Sequence, residues 1–165
     1  MMKYIILFYF ILICFVSQGQ SYHITPIKVE DGLSQNVVCN MLQDRRGSIW
    51  FATQKGITIF NGVDYTYIND TNGLQSEIVY CLFEDVKGHI WIGTHKGLTV
   101  YDGENFRTYT TDDGLTSNII KCIFEDVNSR LWIGTQYGGL CVLDDVSSKS
   151  NFVEFPLPFS TQYLE

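Results

Sequence analysis

Trp50, Trp91 and Trp132 stand 41 residues apart, each inside the same five-residue word. The words read Ile49-Trp50-Phe51-Ala52-Thr53, Ile90-Trp91-Ile92-Gly93-Thr94 and Leu131-Trp132-Ile133-Gly134-Thr135. A second word keeps the same step: Gly32-Leu33-Ser34, Gly73-Leu74-Gln75-Ser76 and Gly114-Leu115-Thr116-Ser117. A repeat of this length made of short apolar runs constrains the chain to a modular architecture. One such unit cannot bury its own faces and needs neighbours.

The middle unit reads as short strands joined by tight turns. Residues 64–69 are aromatic and β-branched, which predicts a strand. Residues 78–84 are nearly all apolar, as in a strand buried on both faces. Asp85-Val86-Lys87-Gly88 predicts a hairpin turn, with Asp bonding the turn backbone and Gly free to take a positive φ. The Trp strand follows over 89–94, and His95-Lys96-Gly97 is another turn. Residues 98–101 alternate again, and Asp102-Gly103 is a hairpin signal. Four short antiparallel strands in about 40 residues, repeated, predict an all-β fold of β-propeller blades. The strand after Gly-Leu is expected innermost, the Tyr/Phe strand outermost, and the Trp strand against the next blade. Ile24 aligns with Tyr65 and Phe106, and Ile27 with Ile68 and Tyr109, which predicts a leading outer strand.

Before the repeats, Lys3 precedes an uncharged run over 4–16 and then Ser17-Gln18-Gly19. A basic start, an apolar stretch and small residues at the end describe a cleavable signal helix. A membrane anchor is the alternative, but the run is shorter than the roughly 20 residues a span needs. Cys14 suggests a lipoprotein site only weakly, because Ile13 before it is bulky. The resulting division is 1–19 signal peptide, 20–62 first blade with its leading outer strand, 63–103 second blade, 104–155 third blade with a trailing outer strand, and 156–165 a truncated tail. Closed propellers hold roughly 4 to 8 blades. About three are present here, so the chain is expected to be part of a longer protein. The alternatives are assembly with further copies, or open blade edges, which invite aggregation.

The chain carries a formal net charge of −7, which becomes −8 once Lys3 is removed with the signal peptide. With no basic run, nucleic-acid binding is not expected. Cys39, Cys81, Cys122 and Cys141 form no CxxC pair or metal-ligand spacing, so neither zinc nor another metal is expected. Cys81 and Cys122 share a repeat position and Cys39 is offset by one. Buried free thiols are the expected state, and equivalent positions in adjacent blades need not come within bonding range.

The pattern Gly-Leu-x-Ser, then Asp-x-x-Gly-x-(Ile/Leu)-Trp-(Ile/Phe)-(Gly/Ala)-Thr-x-x-Gly, resembles the two-component regulator propeller repeat over 21–155. Ala52 stands where the other copies have Gly93 and Gly134, and Ser129 where they have Gly47 and Gly88. In that family the propeller is the exported sensing part of a membrane-spanning regulator. Its usual plan is two seven-bladed propellers, a β-sandwich, a membrane helix and cytoplasmic histidine kinase, receiver and DNA-binding parts. Many members sense oligosaccharides. The resemblance thus implies a periplasmic segment of a signal-transducing sensor, without the kinase. His23, His89 and His95 lie in strand and turn words rather than on a dimerisation helix, and the chain has no Gly-rich nucleotide loop.

Trp50, Trp91 and Trp132 invite a sugar-stacking role, but equal placement in every unit favours packing between blades. Gly32, Gly73 and Gly114 are read with them as the structural core of the repeat. Asp44, Asp85 and Asp126 are read as turn caps rather than metal ligands. Glu84-Asp85 and Glu125-Asp126 point to opposite faces of a strand and cannot flank one glycosidic bond. No catalysis and no cofactor are expected. The ligand candidates are turn positions where the repeats differ: Gln54-Lys55, His95-Lys96 and Gln136-Tyr137. The Gly-Leu turns, continuing as Gln35-Asn36, Glu77-Ile78 and Asn118-Ile119, are expected on the same face. Two functions follow. One is an oligosaccharide-sensing segment, touching the membrane only through its signal peptide or a missing C-terminal part. The other is a structural propeller piece, partnered through open edges by remaining blades or by copies of itself.

Overall fold

Tight turns separate most consecutive strands within a repeat, so the backbone there pairs with its immediate neighbours. The computed structural model describes residues 22, 24–144 and 152–155. Over these residues the chain forms three four-stranded antiparallel sheets. The first sheet holds β1 (Val38–Gln43), β2 (Ile49–Thr53), β3 (Gly56–Phe60) and β4 (Tyr65–Ile68). The second holds β5 (Val79–Glu84), β6 (Ile90–Thr94), β7 (Leu98–Tyr101) and β8 (Phe106–Tyr109). The third holds β9 (Ile120–Glu125), β10 (Leu131–Thr135), β11 (Leu140–Leu143) and β12 (Phe152–Phe155). Strands follow chain order across each sheet, and β1, β5 and β9 pack side by side along one inner edge. This is the all-β blade arrangement expected from the repeat.

Two details depart from the sequence reading. First, the boundaries at 62/63 and 103/104 cut through sheets, because β4 and β8 close the first and second blades instead of opening the next ones. Asn61 and Asp102 hold tight turns, each accepting two backbone N–H bonds, and these fold β4 and β8 back onto β3 and β7. The period sets the step between blades but not the phase. Second, residues 24–28 form no strand, and Ile24 is 87% exposed. The outer position beside β3 is filled by β4, so this segment has no ladder to join. It leads instead into a 3-10 turn, Val29–Asp31, matched in the third repeat by Thr111–Asp113. The signal segment, 1–19, and the tail, 156–165, lie outside the described residues. Among the described residues no helix is long and apolar enough to cross a membrane.

One aspartate organises each inner hairpin. Asp85 Oδ1 accepts the backbone N–H groups of Lys87 and His89, both at 2.9 Å. Its Oδ2 accepts the indole N–H of Trp91 at 2.9 Å and lies 3.0 Å from His89 Nδ1. Asp44 repeats the pattern with Arg46, Ser48 and Trp50, and Asp126 with Asn128, Arg130 and Trp132. The carboxylate closes the turn and aims the indole in a single step.

The first two aimed indoles face the next blade. Trp50 joins a cluster with Ala52 and Ile57 of its own blade and Leu74, Val79 and Ile92 of the second. Trp91, fully buried, joins Leu98 and Leu115, Ile120 and Ile133 across the second interface. Trp132 is half-buried, edge-on to Phe155 at 5.1 Å between ring centroids. A polar clamp reinforces the same interfaces. The Glu84 carboxylate accepts the Arg45 backbone N–H of the first blade at 3.1 Å, and Glu125 accepts that of Val86 at 2.9 Å.

The two departures within the repeat have local causes. Gly93 pairs with Cys81 and Gly134 with Cys122, and a Cβ at either glycine would collide with the facing Sγ. Ala52 pairs with Asn40 instead, where no sulfur stands, so a methyl is accommodated. Ser129 takes φ 60° in the left-handed region, where Gly47 and Gly88 sit at 88° and 86°.

Burial pushes the Asp85 carboxyl up, but the bonds from Trp91 and from the backbone and ring of His89 outweigh it and hold it below the usual carboxylate range. Asp85→Ala is expected to cost about 2–3 kcal/mol, as for buried bonds to a charged group, read as a lower urea midpoint. The native value lies below the unfolded one, so the contribution is full above about pH 4 and fades as pH falls through the native value. The gap between the parent and Asp85→Ala therefore narrows in acid. Ser129→Gly is expected to raise stability by about 0.5–1 kcal/mol, relief of left-handed strain less the added chain entropy. An unchanged or lower melting temperature would show that strain relief at Ser129 does not exceed the added chain entropy.

Candidate functional site

A strand with one residue too many must push that residue out of the ladder, and each inner strand has one. Val38 pairs with Thr53 but Asn40 with Ala52; Val79 with Thr94 but Cys81 with Gly93; Ile120 with Thr135 but Cys122 with Gly134. The skipped residues are Cys39, Tyr80 and Lys121, one repeat step apart. A bulge of this kind re-aims its side chain. The apolar run over 78–84 predicts burial on both faces. Instead Tyr80 is half-buried, and Cys39 and Lys121 are exposed, because the bulge turns this position out of the sheet-to-sheet contact.

The turns after the Trp strands lie beside the bulges. The threonine ending each Trp word donates its hydroxyl to a turn carbonyl: Thr53 to Gly56, Thr94 to Gly97 and Thr135 to Gly139, at 2.9 to 3.1 Å. The backbone N–H of His95 reaches the carbonyl of Ile78 at 3.1 Å, and that of Gln136 the carbonyl of Ile119 at 2.8 Å. Gln54 N–H bonds the Gln35 side chain at 3.1 Å. Gly56 N–H reaches the carbonyl of Glu77 in the next blade at 2.7 Å. These bonds put the turns and the Gly-Leu loops on one face.

Of the six turn candidates, the structure draws one into a cluster. His95 Nδ1 lies 3.3 Å from the Tyr80 hydroxyl. The Lys121 ammonium sits over the Tyr80 ring, 3.3 Å from its centroid. The cluster thus joins the second blade to the third. Gln54, Lys55, Lys96 and Tyr137 are exposed and Gln136 is half-buried. The backbone N–H groups of Lys55 and Lys96 anchor to Thr53 and Thr94, leaving their side chains on the surface. Tyr137 is 89% exposed and holds φ 75° in the longer third turn. Asn36 and Asn118 serve the fold instead, because each side chain accepts a backbone N–H at the start of a 3-10 turn, from Val29 and Thr111. Glu77 stands at their repeat position in the second blade, so the sequence pairing of Gln35-Asn36 with Glu77-Ile78 is off by one residue.

Tyr80 and Lys121 escape the sequence reading because both lie in apolar words. The signal is there as a disagreement: Cys39, Tyr80 and Lys121 differ while the position before each, Val38, Val79 and Ile120, stays apolar. Among the described residues no group of three or more His, Cys, Asp or Glu is placed to hold a metal ion.

The two component regulator propeller model matches residues 32–55, 73–96 and 114–137. Each window runs from the Gly-Leu word through the inner bulge to the two variable turn residues. These three repeats belong to that family. Among solved structures, the extracellular domain of a hybrid two component system from B. thetaiotaomicron is 32% identical, with a TM-score of 0.60, covering 68% of this chain and 16% of that one. The extracellular domain of a one component system from the same organism is 22% identical, with a TM-score of 0.60, over 68% and 18% of the two chains. PorZ, a surface component of the type-IX secretion system of Porphyromonas gingivalis, is 21% identical, with a TM-score of 0.53, over 66% and 17%. The last two likenesses concern the fold alone. The chain spans 16 to 18% of the length of these structures. No curated protein matches it.

All four cysteines among the described residues are free, Cys39 and Cys122 exposed and Cys81 and Cys141 buried. Burial, with Cys122 nearby, pushes the Cys81 thiol up to about 12. Iodoacetamide at mildly alkaline pH is expected to modify Cys39 rapidly and Cys81 only on unfolding, read by peptide mass spectrometry. Equal protection of Cys39 and Cys81 would place position 39 inside the ladder after all.

Proposed function

We propose that this chain is the ligand-sensing propeller segment of an exported two-component regulator, and that it recognises an oligosaccharide on the face carrying the bulges and the Trp-strand turns. The observation that carries this reading is the coincidence of variation with exposure. The scaffold repeats its aspartate clasp, its threonine anchors and its interfaces, while bulge positions 39, 80 and 121 and the adjoining turns present different polar and aromatic groups. Binding residues concentrate where a rigid scaffold presents variable loops. Likeness to the extracellular domain of a hybrid two component system supports the regulator context, and the sequence over 1–19 supports export.

The test is a glycan array with the purified chain, followed by calorimetry on the best binders. Binding that falls about tenfold or more in Tyr80→Ala, the loss expected for a stacking ring with a bonded hydroxyl, supports the reading. An array with no binder, or binders indifferent to Tyr80 and to the turn residues, sinks it.

A second reading is favoured by the apolar blade faces. Phe124 is 61% exposed and Met41 65%, although their counterparts Phe83 and Leu82 pack between blades. Such faces suit an assembling propeller piece that does no sensing. Sedimentation of the purified chain separates the two: a stable monomer at high concentration argues against assembly.

A further inference from the structure

We infer that Tyr80, His95 and Lys121 form a subsite for the acidic group of a charged saccharide, with Lys121 as the switchable counter-ion; this rests on the sugar-binding reading above. Among the described residues Lys121 has no carboxylate within ion-pair distance, although the chain as a whole is acidic. Its ammonium rests on the Tyr80 ring instead. A cation resting on the half-buried Tyr80 ring makes no hydrogen bond there, whereas a carboxylate or sulfate oxygen accepts charge-assisted ones. A carboxylate or sulfate can therefore draw Lys121 off the ring at a net gain.

The same movement uncovers an aromatic face. The ring Lys121 vacates is held from its hydroxyl end by His95, so it stays in place to stack against the apolar side of a sugar. The other ring nitrogen of His95 is left to meet a sugar hydroxyl. Lys55 and Lys96 lie in the turns of the same face, whose loops also carry Asp70, Glu77, Asp112 and Asp113. None of these acids pairs with Lys121, so its charge is the one that favours an anionic ligand over a neutral one at this point. Specificity then comes from two blades at once, since Tyr80 and His95 belong to the second and Lys121 to the third.

The experiment is calorimetry of the full chain with three probes: trigalacturonic acid, its full methyl ester and a sulfated galactotriose of equal length. The ester keeps the ring and removes the charge, and the sulfated sugar distinguishes carboxylate from sulfate as the source of the anion. At least one acidic probe is expected to bind about tenfold tighter than the ester at low salt, with the margin shrinking at high salt. Lys121→Met, which keeps the stem over the ring, is expected to abolish that margin, and Lys121→Arg to retain much of it. Tyr80→Ala is expected to weaken acid and ester alike. Failure of all three probes to bind, ester binding equal to acid binding, or an acid preference untouched by Lys121→Met each overturns the inference. Neutral glycans found on the array and insensitive to Lys121→Met would overturn it while leaving the broader sensing reading in place.

Discussion

A carboxylate bonded to an indole is the contact on which each blade depends. Asp44, Asp85 and Asp126 each sit at the inner hairpin, and each holds two turn amides and the tryptophan six residues on. The turn amides would otherwise lack a partner, and the indole N–H of Trp50 and Trp91 would be buried unpaired against the neighbouring blade. One side chain settles both and thereby links hairpin closure to blade packing. The residue four places after the aspartate tunes the arrangement: Ser48 adds no charge, His89 adds a ring nitrogen at 3.0 Å, and Arg130 adds a guanidinium at 2.8 Å.

From that clasp the rest of the fold follows in order. A fixed indole defines the face that the next sheet must cover, and Leu74, Val79 and Ile92 of the second blade cover that of the first. Covering it brings Glu84 within reach of the Arg45 amide, so the polar clamp forms only when the apolar faces have met. The Arg45 side chain answers by donating to the carbonyls of Asp85 and Val86 at 2.8 and 2.7 Å. Repeating one step of this kind is how a modular fold gains stability from nearest neighbours.

Much of this is readable in the sequence, and the unreadable parts share a cause. The 41-residue words place the strands and the turns, since turn chemistry and apolar runs are local properties. Phase is not local: only the β3–β4 pairing shows that Tyr65–Ile68 closes the first blade. The likeness of Ile24 and Ile27 to an outer strand misleads for the same reason, because a strand is made by its partner and not by its composition. Glu84 looks like half of an acid pair and is an interface clamp, which depends on where the previous blade stands. The bulges are hidden too. A periodic reading assumes strict alternation, and one extra residue in a ladder leaves the apolar word intact.

That hidden extra residue frees one position in each inner strand from the demands of folding. A side chain at a ladder position must suit its cross-strand partner, as Gly93 must suit Cys81. A bulged residue has no such partner, so Cys39, Tyr80 and Lys121 can differ in size and charge without disturbing register. The turns obey the same rule by another route. Their amides are held by Thr53, Thr94 and neighbouring carbonyls, so nothing in the fold depends on the side chains of Lys55 or Lys96. Chemistry at this face can therefore change residue by residue while the aspartate clasp and the blade interfaces stay as they are. A scaffold whose framework and variable positions are uncoupled in this way can change what its face presents while its register holds, and between the second and third blades that freedom falls on Tyr80, His95 and Lys121.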